Sequence, residues 1–159
     1  DEERLAYELD RGVQLNSAVV SDKYVLFYQE NSFIAKLDDL VWIYNSILTT
    51  KHTTYGIPTG TSKSYSLVVI DINGKAKSVS LGSEAEGKEL LGVLASKAPY
   101  IICGYSEELE RFRASNFQAM YARVQEEKNR LMGNTDFMNN AYTMGNMNTM
   151  DNNGSDWQV

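Results

Sequence analysis

The stretch Tyr65-Ser66-Leu67-Val68-Val69-Ile70-Asp71-Ile72-Asn73-Gly74-Lys75-Ala76-Lys77-Ser78-Val79-Ser80-Leu81 decides the fold class. Two runs flank a polar turn, and the second alternates polar and apolar residues with the period of two that sends successive side chains to opposite faces of a strand. Asn73-Gly74 predicts a two-residue type I′ turn, because both residues tolerate positive φ. Strand, tight turn and strand make an antiparallel hairpin.

Upstream, the same chemistry repeats from Val13 onward in short runs of Val, Ile, Tyr, Phe and Thr. Ala18-Val19-Val20, Tyr24 to Tyr28 and Phe33 to Leu37 are separated by Ser21-Asp22-Lys23 and Glu30-Asn31-Ser32. After the break at Asp38-Asp39, both parities of Leu40-Val41-Trp42-Ile43-Tyr44 are apolar, which predicts a central strand covered on both faces. Thr49–Lys63 is polar and predicts a loop.

Downstream, Ser83-Glu84-Ala85-Glu86 predicts a capping box opening a helix that ends near Lys97, before Pro99. Tyr100-Ile101-Ile102-Cys103 predicts a short strand. Ser106 caps a second helix whose Leu109, Phe112, Phe117, Met120, Tyr121, Val124 and Leu131 form one apolar face. Gly133 is expected to end it, leaving an Asn- and Met-rich tail over 133–159 without hydrophobic periodicity, read as disordered. The first residues, with Leu5 and Leu9 four apart, predict a short helix or linker over 1–12. The expected fold is therefore α+β: an antiparallel β-meander followed by two helices, in a single domain over 13–132.

Composition restricts function. The chain has 159 residues, and a domain of that length buries about two-thirds of its unfolded surface. Its net charge of −6 is carried by the ends. Residues 1–12 hold five acids against two bases, residues 133–159 hold three acids and no base, and residues 13–132 balance at 13 of each. A neutral body with acidic ends lacks the positive field that phosphate backbones require, so no nucleic-acid partner is expected. One cysteine forms no internal disulfide and favours a reducing compartment.

Candidate chemistry is sparse. Cys103 and His52 are the lone thiol and imidazole, and a Cys–His nucleophilic pair is the one dyad to weigh. Against it, a cysteine closing an apolar strand is expected as a buried, inert core thiol. Two Cys or His residues fall short of a structural zinc set, and Asp71 to Gly74 lacks the calcium-loop spacing, so neither metal nor cofactor is expected. Gly56 to Ser64 fails as a phosphate loop because Lys63 stands three residues late and a strand follows. What remains is Lys51, His52 and Lys63 as a diffuse ligand-binding patch for an anion or lipid headgroup. Asp38 and Asp39 point to opposite faces of an extended chain and do not converge for acid–base work. Trp42 and Tyr44 share a strand face, either as an aromatic ligand surface or, as aromatics usually are, as core. The Met-rich tail (Met138, Met144, Met147, Met150) is an adaptable strip or simple disorder.

The runs Lys36 to Tyr44, Gly56-Ile57-Pro58-Thr59-Gly60 and Ala98 to Ser106 resemble a group of uncharacterised bacterial membrane-anchored proteins with a soluble PH-like β domain, over about residues 13–115. The resemblance implies a PH-like or partly open barrel, a transmembrane segment preceding Asp1 in the parent chain, and no known activity. The strand and second long helix after the first helix depart from that pattern and favour an open sheet with helices against one face. The expectation is a non-enzymatic binding or scaffold domain, membrane-tethered in its parent and on the cytoplasmic side. Its partner is expected to be a protein, a lipid headgroup met through 49–63, or a second copy met through Phe112, Phe117 and Met120.

Overall fold

A computed structural model describes residues 2–28 and 32–144, with side chains described to residue 133. Helix α1 (Glu2–Asp10) leads into four strands, β1 (Val13–Gln14), β2 (Ala18–Val20), β3 (Tyr24–Phe27) and β4 (Phe33–Lys36). They pair in sequence order as an antiparallel meander. Ser21 sets the β2–β3 turn: its Oγ accepts the Tyr24 amide at 2.9 Å, and its own N–H donates to the Tyr24 carbonyl at 2.8 Å.

A 3-10 turn over Leu37–Asp39 feeds the second sheet, ordered β7-β6-β5-β8. It comprises β5 (Leu40–Thr54), β6 (Ile57–Asp71), β7 (Ala76–Leu81) and β8 (Ile102–Cys103). Helix α2 (Glu84–Lys97) precedes β8, and α3 (Glu107–Met144) follows it. The fold is α+β, as its patterning requires. Sheet one and sheet two are separate, so the strands do not form one continuous barrel. One pairing departs from the meander: β8 lies parallel to β5, with Trp42 opposite Ile102 and Ile43 opposite Cys103.

The both-faces reading of Leu40 to Tyr44 has a concrete cause. Leu40 pairs with Asp71 and Trp42 with Ile70, so Val41 is the extra residue of a β-bulge. Val41 and Trp42 both join one core with Ile70, Met120 and Val124 under α3, whereas Leu40 and Ile43 join the other. That second core packs Leu90 and Leu94 of α2 against Leu67, Val69 and Val79, and against Val20, Val25 and Phe27 of the first sheet. Helices therefore cover sheet two on both faces, which corrects the expectation of helices on one face.

Other expectations change in detail. Asn73 has no positive φ; Gly74 alone does (+77°), following a turn in which the Gly74 amide bonds the Asp71 carbonyl at 2.9 Å. The Asp71 carboxylate accepts the Asn73 and Lys75 amides at 2.8 and 3.0 Å, which favours this wider loop over the two-residue type I′ turn. Ser83 caps α2 by accepting the Glu86 amide at 3.2 Å, while Glu86 reaches back to the Gly82 amide at 3.0 Å and accepts the Ser17 hydroxyl. Only Ile102–Cys103 of the expected Tyr100–Cys103 strand is paired.

Helix α3 opens as expected, with Ser106 Oγ accepting the Leu109 amide at 3.1 Å. It then breaks at Asn116 (φ −155°, ψ 73°), whose Oδ1 accepts the Ala119 amide at 3.1 Å and so caps the following segment. The chain divides into two compact units, 1–124 and 125–159. Within the second the helix continues through Gly133 to Met144, correcting the expected stop at Gly133. Residues 145–159 of the expected tail lie outside the described residues.

Candidate docking surface

Strands β5 and β6 are each 15 residues long, and their ladder runs from Leu40↔Asp71 to Thr54↔Ile57, interrupted by two bulges. Flanking strands cover only its base. Strand β8 pairs with residues 42 and 43, and β7 with residues 65 to 70. Beyond them every residue of 47–54 and 57–64 is exposed. This two-stranded arm extends roughly 25 Å at the usual rise per residue. Thr49–Lys63 is therefore strand and turn, not the expected loop.

The turn at the tip is Tyr55-Gly56, with φ of +52° and +79° at its two residues. Positive φ at both positions is the type I′ signature, so the strongest hairpin turn lies here and not at Asn73-Gly74. The tip is bare: Tyr55 is 100% exposed and Ile57 67%. Nearer the base, Ile47 and Leu48 are also exposed. A second bulge lies between His52↔Gly60 and Thr53↔Pro58 and leaves Thr59 unpaired.

Register sorts the expected patch. Thr49 faces Lys63 and Lys51 faces Thr61, which puts Lys51 and Lys63 on one face as diagonal neighbours. His52 is on the other face, its Nε2 2.8 Å from Ser62 Oγ. The three residues expected to act together are thus two lysines and an opposed histidine. No Asp or Glu occurs anywhere from Leu40 to Ile70. The arm is a positive element on a chain of net charge −6.

The remaining candidates do not assemble a site. Cys103 stands at the register of Ile43, so His52 lies nine residues further along β5, roughly 30 Å away. The Cys–His dyad does not form. Cys103 is exposed rather than buried, because β8 is a two-residue edge strand with no neighbour beyond it among the described residues. Its thiol donates to the Ile101 carbonyl at 3.5 Å, and partial burial of the sulfur pushes its pKa up, away from the reactive thiolate. Among the described residues no group of three or more His, Cys, Asp or Glu is placed to hold a metal ion.

Trp42 is core. Its Nε1 donates to the Gly104 carbonyl at 2.7 Å, and its ring lies 4.6 Å from Tyr44 and 6.2 Å from Tyr105. Burial, and then the charge of Glu110, raises the Tyr44 pKa. Asp38 accepts the Tyr100 hydroxyl at 2.9 Å, and burial with that carboxylate raises the tyrosine pKa. The face expected for self-association is occupied: Met120 is fully buried against sheet two, with Phe112 and Phe117 packed beside it. The arm is what sequence reading missed. Its signals were the acid-free run 40–70 and an X-Gly pair between two Thr-rich segments.

No helix among the described residues is long and apolar enough to cross a membrane. No curated protein and no solved structure matched the chain. Residues 1–113 match the model of a family described as Domain of unknown function (DUF6709), and the chain belongs to that family.

Proposed function

Starting from membership of a family with no assigned activity, we propose that this is a non-catalytic binding domain that docks on an anionic bilayer surface through the β5–β6 arm. The observation that carries the reading is the arm's polarity. A bare Tyr-Gly-Ile tip sits ahead of two same-face lysines, with no carboxylate between Leu40 and Ile70. Tyrosine suits the boundary between headgroups and acyl chains, and lysines behind it meet anionic headgroups. Open strand edges do not favour pairing with a second copy, since Pro58, the Thr59 bulge and the two lysines are the usual guards against it.

Magnitudes set the mode of action. Two lysines near an anionic leaflet contribute about 2 kcal/mol, and burying the tip about 2–4 kcal/mol more. A gross 4–6 kcal/mol corresponds to dissociation constants from about 1 mM to tens of micromolar. Docking this weak works when a tether raises the local concentration, as a membrane-anchored parent, which the family resemblance implies, would do.

The test uses Tyr55→Trp as an emission reporter with phosphatidylcholine vesicles, with and without phosphatidylserine. A blue shift confined to the anionic vesicles, reduced at high salt and abolished by Lys51→Glu with Lys63→Glu, is the expected result. No shift on any vesicle rejects the lipid surface and leaves a protein as the arm's partner. A shift indifferent to the two lysines removes their role.

A further inference from the structure

The body carries a second, independent concavity. Between β4, the outer strand of sheet one, and β7, the outer strand of sheet two, lies an open cleft of about 340 Å³. Its apolar wall is Phe33, Ala35, Leu40 and Val69, and Lys36, Lys75 and Lys77 also line it.

Lys77 is the informative residue. Strand parity puts it on the same face of β7 as the buried Val79 and Leu81, so it points toward the space between the sheets. Its Nζ lies 4.5 Å over the Phe33 ring, which holds the ammonium group at the cleft. Among the described residues none of the three lysines forms an ion pair. Asp39 and Asp71 line the cleft as well, but an oxygen of Asp71 is committed to the Asn73 and Lys75 amides. Three cations against two carboxylates leave the cleft positive, beside a wall that favours hydrocarbon.

From this pairing we infer that the cleft binds a small amphiphilic anion, its apolar body against Phe33, Ala35 and Val69 and its carboxylate or phosphate head between Lys75 and Lys77. Lysine serves either head as a point charge. The cleft's inward lysine also argues against a peptide strand added to the β7 edge, since inward-pointing charge is a known block to such pairing.

The probes are octanoate and octyl phosphate, with octanol and inorganic phosphate as controls, read by backbone amide shifts. Either amphiphile is expected to move the amides of Phe33, Ala35 and Lys77 while leaving those of residues 52–57 in place. Which of the two binds more tightly identifies the head. Lys75→Gln with Lys77→Gln, both exposed positions outside the arm, should weaken binding at least tenfold, and Ala35→Phe should abolish it by filling the cleft. Octanol or inorganic phosphate binding as well as the amphiphiles, no shifts with any probe, or shifts confined to the arm would each overturn the inference. Since neither lysine belongs to the arm, loss here leaves the vesicle result untouched, and failure of the vesicle reading leaves this one standing.

Discussion

The base and the arm belong to one antiparallel β5–β6 ladder, with a bulge in each, yet Leu40–Ile43 is buried and 47–54 is wholly exposed. At the base, apolar residues occupy both parities because helices lie on both faces. Along the arm, Thr and Ser keep the extended backbone without demanding cover. The β5–β6 ladder is thus common to both halves; side-chain burial and the flanking pairings of β7 and β8, which the base has and the arm lacks, distinguish them. The base is expected to carry the stability of the domain and the arm its contacts.

That contrast is open to four experiments. Trp42→Ala removes the largest fully buried side chain and its bond to Gly104, and should cost about 3–5 kcal/mol in denaturant unfolding. A loss below about 1 kcal/mol would mean that the α3 face contributes little. Gly87→Ala places a methyl group 2.9 Å from Asn45 Oδ1 and 3.0 Å from Leu81, where α2 crosses the base. Overpacking of this kind costs about 1–3 kcal/mol, offset by the roughly 1 kcal/mol that alanine gains over glycine inside a helix, so a net loss of up to about 2 kcal/mol is expected, read as a lower melting temperature. At the tip, Gly56→Ala forces a side chain into the left-handed region at about 1–2 kcal/mol. The cost should show as faster hydrogen exchange of arm amides, with the global melting temperature held. A matching drop in melting temperature would show that the arm is not separable. Smallest is the effect at Cys103: with its pKa raised, less thiolate exists at a given pH, so alkylation near pH 8 should run slower than for free cysteine despite exposure. Faster alkylation would reopen the case for an activated thiol.

How much was legible follows the same division. Strands β2, β3, β4 and β7, the Ser83 and Ser106 caps and the two-sided strand at Leu40 to Tyr44 could be read, since each rests on local periodicity or capping chemistry. The parallel β8 pairing and the Asn116 break could not, because tertiary contacts and not propensity select them. The arm was misread because Thr, Ser and Gly are common to turns and to exposed strands, and only alternation about Tyr55-Gly56 separates the two. Lys51 and Lys63 were singled out in the sequence only as members of a candidate patch with His52. Their shared face, and its separation from His52, needed the register.

The parallel pairing of β8 also orders the assembly of the molecule in time. The β5–β6 hairpin closes through a two-residue turn, a local event on the microsecond scale. Docking Ile102 beside Trp42 instead requires the intervening strands and α2 to be in place, and distant pairings of this kind slow folding. The ribbon should therefore form early and the indole pocket late. In a refolding experiment the far-ultraviolet signal of strands should lead, and the emission of Trp42 should follow.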